Sequence, residues 1–223
     1  MEAVVAARCR FACAELSAAV ERGVRQIVLL GTGLAACVRP KAEPGACEVP
    51  GLHIFEVDHA GSKARACSEG QDDLPVTFVA TDFETESLSD ALRKTSFQPG
   101  LATVFSWLGE TLYSTTEAAV ATLRFIASMP RESALLFDYA VDRSANSPLG
   151  QTSMDALASR VASAGETCRL LLQPEALKNM LRIIGFGHVD DLGPSSAPTH
   201  YFAEQPGTPA PDFGIPHLVA ARV

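Results

Sequence analysis

Five segments of this chain, RQIVLL (25–30), LHIFEV (52–57), VTFVA (76–80), LATVFSW (101–107) and SALLFDY (133–139), are apolar along their length rather than at every second residue. A strand with water on one face alternates. One buried on both faces has no polar side, so these runs predict a parallel sheet covered above and below. Helical patterns separate or follow them at 60–69, 85–94, 116–128, 151–164 and 174–184, and this alternation predicts a doubly wound α/β domain with right-handed crossovers. Ahead of the first strand, Val5, Cys9, Ala12, Leu16 and Val20 are spaced by three and four, an apolar helix stripe ended by Gly23. After the last helix come GFGHVDDLG (185–193) and HLVAARV (217–223) with only loop between them. Two late strands without a crossover helix predict an antiparallel pair at the sheet edge. The Pro-rich stretch from Pro194 to Pro216 reads as a loop excursion, so residues 1–223 form one expected domain.

Composition excludes several classes. With 223 residues, 47% of them hydrophobic, the chain can enclose one full core. Its 18 basic and 26 acidic residues give a net charge of -8, with no basic cluster to track a phosphate backbone, so nucleic acid and anionic membrane are not expected partners. No run reaches the ~18 apolar residues of a membrane span. Glu2 stands where a signal peptide carries positive charge, and a cytoplasmic protein is expected. The six cysteines (Cys9, Cys13, Cys37, Cys47, Cys67, Cys168) show no C-x-x-C pair and no zinc-finger spacing, so they read as free thiols and no metal is expected. No motif sets an oligomeric state.

The first strand runs into Gly31-Thr32-Gly33. Glycines between a strand and a helix permit a tight turn and leave space for a ligand against the main chain, next to unpaired helix N–H groups. The second strand ends in Glu56-Val57-Asp58, placing a carboxylate where it can accept both hydroxyls of a ribose. The third is followed by Thr81-Asp82-Phe83, an acid able to accept from an exocyclic amine and a ring able to cover a purine. A Gly-x-Gly-x-x-Ala pattern also satisfies a loose dinucleotide fingerprint, which leaves a nicotinamide cofactor and an oxidoreductase open. A second acid one strand further along suits an adenosyl group held at both ribose and base.

Taken in order, QIVLLGTGL, HIFEVDHAGSK, VTFVATDFE, FSWLGETLYST, LLFDYA, AGETCRLLLQPEALKNMLRIIGFGHVDDLG and HYFAEQ resemble the class I S-adenosylmethionine-dependent methyltransferases, within them the bacterial leucine carboxyl methyltransferase-like group. The resemblance implies a Rossmann-like, mostly parallel seven-stranded sheet with an antiparallel C-terminal strand. It implies S-adenosylmethionine as cofactor, held by Gly31, Thr32, Gly33, Asp58, Asp82, Phe83 and Leu108. An arginine of the first helix, Arg8 with Arg10 as competitor, is implied to reach the methionyl carboxylate. Relatives carry a tyrosine at the place of Tyr113, which with Trp107 becomes a candidate wall for the acceptor. The loop departs from the family pattern at Ala35 and Ala36, Leu108 replaces a glutamate, and a domain lacking most of the relatives' N-terminal lid is expected.

Methyl transfer from a sulfonium is an in-line displacement, so a protein contributes by orienting the acceptor and excluding water. A carboxylate acceptor is already ionised at neutral pH and needs no base. His59, a conceivable base for a hydroxyl, reads as a structural partner of Asp58; Asp138 and Tyr139 read as structural and remote. The expected activity is O-methylation of a carboxylate or hydroxyl on a small molecule or a chain terminus. A degenerate cofactor-binding module without turnover is the alternative that Ala35 and Ala36 motivate.

Overall fold

The computed structural model describes residues 2–31, 50–59, 76–82, 85–109, 111, 115–142, 151–152, 155, 159, 171–193, 201 and 216–223. Helix α1 (Glu2–Glu21) leads into strand β1 (Gln26–Leu30), and β2 (His53–Asp58), β3 (Val76–Ala80), β4 (Thr103–Trp107) and β5 (Ala134–Val141) follow as parallel neighbours. Helix α2 (Leu88–Arg93) precedes β4, and α3 (Thr116–Ala127) joins β4 to β5. A short β6 (Leu171–Leu172), helix α4 (Pro174–Ile184) and the strands β7 (His188–Leu192) and β8 (His217–Arg222) complete the described elements. The sheet order is β3-β2-β1-β4-β5-β8-β7, with β6 pairing β5 off that path. β8 runs antiparallel to both β5 and β7.

The doubly wound sheet and its antiparallel close were expected; the eighth strand was not. Two residues, Leu171 and Leu172, are too few for periodicity to distinguish from the approach to a helix, and β5 supplies the pairing through Ala140 and Val141. The strand patterns follow position: β1, β4 and β5 are buried at every residue, whereas the edge strands β3 and β7 are partly exposed. One face of the sheet packs Val28, Leu30, Phe55, Phe105 and Phe137 beneath α2, α3 and α4. The other packs Ile27, Leu29, Ile54, Val104 and Leu136 against Phe11, Ala12 and Leu16 of α1.

Local chemistry sets the helix limits. Ser87 accepts from the Asp90 N–H at the start of α2 and Thr115 from the Ala118 N–H at the start of α3, satisfying donors that the first turn leaves open. Pro174 begins α4, where no donor is needed, and Gly185 ends it at φ +131°. The buried face of α1 is rotated from the expected stripe: Ala7, Phe11, Ala12, Leu16 and Ala19 are buried and Val5 is 36% exposed. In a helix this rich in alanine and cysteine the small side chains give little contrast around the barrel, and the one large ring decides. Phe11 is fully buried and meets Tyr201 edge to face at 5.8 Å.

Cysteine chemistry also differs from expectation. Cys9 is disulfide-bonded. Spacing could not show this, because the pairing is made by the fold and not by a local motif. The helix expected at 60–69 lies outside the described residues. Of 151–164, residues 151, 152, 155 and 159 are described and helical. No helix among the described residues is long and apolar enough to cross a membrane, and no metal-binding cluster occurs among them.

Candidate functional site

Strand order reverses at β1, which has β2 on one side and β4 on the other. At such a point the connections leave in opposite directions and open a crevice at the carboxyl ends of the strands. The register fixes what lines it. Leu30 pairs with Val57, Leu29 with Ser106 and Trp107 with Phe137. Continued past the strand ends, by one residue for the first and last pairs and two for Leu29 and Ser106, these pairings set Asp58, Gly31, Leu108 and Asp138 in one row across four adjacent strands. At roughly 4.8 Å per strand, the two acids at its ends are about 14 Å apart. Asp82 follows two residues beyond Ala80, the partner of Asp58.

Gly31 adopts φ +84°, a conformation that costs other residues energy, and its N–H donates to the Val57 carbonyl at 2.9 Å. That bond ties the start of the glycine loop to the end of β2. Asp58 is half-buried, and its Oδ1 accepts the His59 N–H at 2.6 Å. His59 is exposed. Asp82 is half-buried, and its carbonyl accepts from the N–H groups of Thr85 and Glu86. Leu108 is buried in the core layer beneath α1. Thr32, Gly33, Phe83 and Tyr113 lie outside the described residues.

The two arginines of α1 part company. Arg10 donates through Nε and Nη2 to the Tyr201 carbonyl, at 3.1 and 2.7 Å. Arg8 turns toward the row, with Nε 2.9 Å and Nη2 2.5 Å from Oδ2 of Asp138. Its side chain is 16% exposed and that of Asp138 only 2%. The other oxygen of Asp138, Oδ1, accepts the Gly109 N–H at 2.6 Å, and its carbonyl accepts the Thr111 hydroxyl. Asp138 therefore does not stand apart from the crevice as its strand position suggested; through Gly109 it reaches the loop after β4. The signal was present in the sequence: a single acid inside an otherwise apolar eight-residue strand must find a cation or several donors, because an unpaired charge there is too costly.

A second polar network lies on the opposite face of β5. The Tyr139 hydroxyl donates to Asp191 Oδ2 at 2.9 Å, and His217 Nδ1 is 2.7 Å from Asp191 Oδ1. Burial first, and the charge of Asp191 second, push the Tyr139 phenol well above its usual pKa, so it remains a donor. Trp107 is buried in the core on this same face and lines a small apolar cavity with Phe137, Tyr139 and Leu177.

The family model of leucine carboxyl methyltransferase matches residues 1–127. No curated protein matches the sequence at a significant level. Among solved structures, a DUF574 family protein from Streptomyces avermitilis shares 18% identity over all of this chain and 83% of its own, with a TM-score of 0.63. An O-methyltransferase family protein from Burkholderia thailandensis shares 16% identity over 96% of this chain and 56% of its own, TM-score 0.56. Human N-acetylserotonin methyltransferase, solved in complex with SAM, shares 16% identity over 89% of this chain and 47% of its own, TM-score 0.51. The chain thus spans about half the length of these last two. At such identities the structures establish the shared fold, while the family match covers more than half of the chain and displaces the nicotinamide alternative. The Gly31 turn and the acids of β2 and β3 therefore stand in a chain that belongs to the leucine carboxyl methyltransferase family, the S-adenosylmethionine-dependent enzymes that transfer a methyl group.

Proposed function

We propose that this protein is an O-methyltransferase whose acceptor is a carboxylate, with a hydroxyl as the second choice, on a small molecule or a chain terminus. The single observation that carries the reading is the row Asp58, Gly31, Leu108 at the carboxyl edge of β2, β1 and β4, with Asp82 beyond it. These residues fit the cofactor. Two carboxylates on the β2 and β3 side of a glycine turn supply acceptors for ribose hydroxyls and an adenine amine. The glycine main chain beside them, without a side chain, admits a nucleoside against the backbone.

In this reading Asp58 accepts the ribose hydroxyls, Asp82 accepts the adenine amine and Phe83 covers the ring. Gly31, Thr32 and Gly33 form the close backbone wall, and Leu108 packs at the methionyl end. Arg8 binds the methionyl carboxylate, and Tyr113 lines the acceptor space. The bound cofactor supplies an electrophilic methyl carried on a sulfonium. The residues of the chain hold the acceptor oxygen within about 3 to 3.5 Å of it, in line, and keep water out. A carboxylate acceptor is already ionised at neutral pH and asks for no proton transfer.

Calorimetry with S-adenosylmethionine followed by mass spectrometry of a panel of carboxylic acids and alcohols tests the proposal. Expected are saturable binding and a methyl ester as the leading product. Methylation confined to nitrogen or carbon nucleophiles, or binding without turnover on any acceptor, would overturn it.

A further inference from the structure

We propose that Asp138 is a positioning residue of the cofactor site, setting with one buried carboxylate both the Arg8 guanidinium and the loop that leaves β4. This deepens the function proposed above and rests on it. Asp138 is the acid within β5, a strand buried at all eight positions and hydrogen-bonded to β4 and β8 on its two sides. Few places in the sheet are held more firmly. From there the residue gathers four bonds from parts of the chain remote from it in sequence: two from Arg8 in α1, one from the Gly109 N–H and one from the Thr111 hydroxyl.

Each bond restricts something the site needs. Gly109 turns at φ +85° immediately after Leu108, and its N–H is fixed on Asp138 Oδ1, so the direction in which the chain leaves β4 is set. Arg8 carries a planar fork; with Nε and Nη2 both on Oδ2, the plane and the remaining nitrogen are fixed as well. Among the described residues Nη1 makes no hydrogen bond, which leaves it for a ligand carboxylate. A long side chain held beforehand loses less conformational freedom when the ligand arrives. Leu108, the residue in register between Gly31 and Asp138, is apolar and buried, so the carboxylate on Arg8 comes from the neighbouring strand instead.

The test compares S-adenosylhomocysteine with 5′-methylthioadenosine, which keeps the adenosine and thioether but lacks the amino-acid carboxylate. The ratio of the two dissociation constants reads the methionyl end alone. Asp138→Asn, nearly isosteric, is expected to lower the preference for S-adenosylhomocysteine by about tenfold or more, while methylthioadenosine affinity stays within about threefold. Arg8→Met should lower it to the same degree, and the double variant no further, because the two act as one unit. An unchanged or increased preference in Asp138→Asn, or equal loss of both ligands, overturns the proposal. A wild-type protein that binds neither compound refutes the proposed function instead.

Discussion

Replacement of Asp58 by alanine offers a test whose size follows from the geometry. The carboxylate closes β2 beside the Gly31 turn, half-buried, with the His59 N–H on Oδ1. Its loss from the fold includes the bond to the exposed His59 N–H, worth about 0.5 to 1.5 kcal/mol. Its loss from the complex is larger. A hydrogen bond to a charged group contributes about 1.5 to 3 kcal/mol, equivalent to a roughly 10- to 150-fold rise in the dissociation constant. Titration calorimetry with S-adenosylhomocysteine measures that rise, and thermal unfolding measures the stability change separately. A chemical cycle sharpens the result: the wild type should discriminate against the 2′-deoxy analogue, and Asp58→Ala should bind both forms alike. A Kd within about threefold of wild type, or discrimination that survives the substitution, refutes the assignment of the ribose to this acid.

Asp82→Ala should weaken S-adenosylhomocysteine binding by a smaller factor and abolish preference over the inosine analogue; full preference in the variant removes the adenine from Asp82. Tyr139→Phe takes a donor from Asp191, whose side chain is 2% exposed and which keeps only His217 of the two partners. Urea unfolding should then report a loss of about 1.5 to 3 kcal/mol, and a change below ~0.5 kcal/mol would show that the hydroxyl is dispensable. His53 is stacked on Phe55 at 4.4 Å and bonded to Thr77 Oγ1 at 2.8 Å, and burial lowers its pKa below the usual 6.5. The unfolded chain therefore takes up a proton before the folded one, and stability falls as pH drops through 6.5 toward the folded value. His53→Gln should flatten that part of the profile between pH 5 and 8, measured by urea unfolding, and an unaltered slope would locate the dependence elsewhere.

Much of the architecture was written in the chain. Runs at 25–30, 52–57, 76–80, 101–107 and 133–139 that are mostly apolar without alternation are satisfied by burial on both faces, which leaves a covered parallel sheet. Asp58 and Asp82 were legible for a related reason: Asp58 follows one strand run directly and Asp82 another after Thr81, so position along the chain already meant position at the sheet edge. The face of α1 was less legible, because alanines and cysteines barely differ in what they gain from burial, and Phe11 settled the rotation. The bond of Cys9 was hidden, since it joins residues whose proximity the fold alone creates.

By itself, then, the sequence determined the class of fold, the strand ends proposed to meet the cofactor and the family, since each depends on residues adjacent in the chain. The tertiary structure alone decided which arginine of α1 faces the crevice and what holds it. Arg8 and Arg10 are two residues apart and chemically identical; 130 positions separate Arg8 from Asp138, and 191 separate Arg10 from Tyr201. A charge whose partner is remote in sequence acquires it only where two surfaces meet, and no local pattern encodes that meeting.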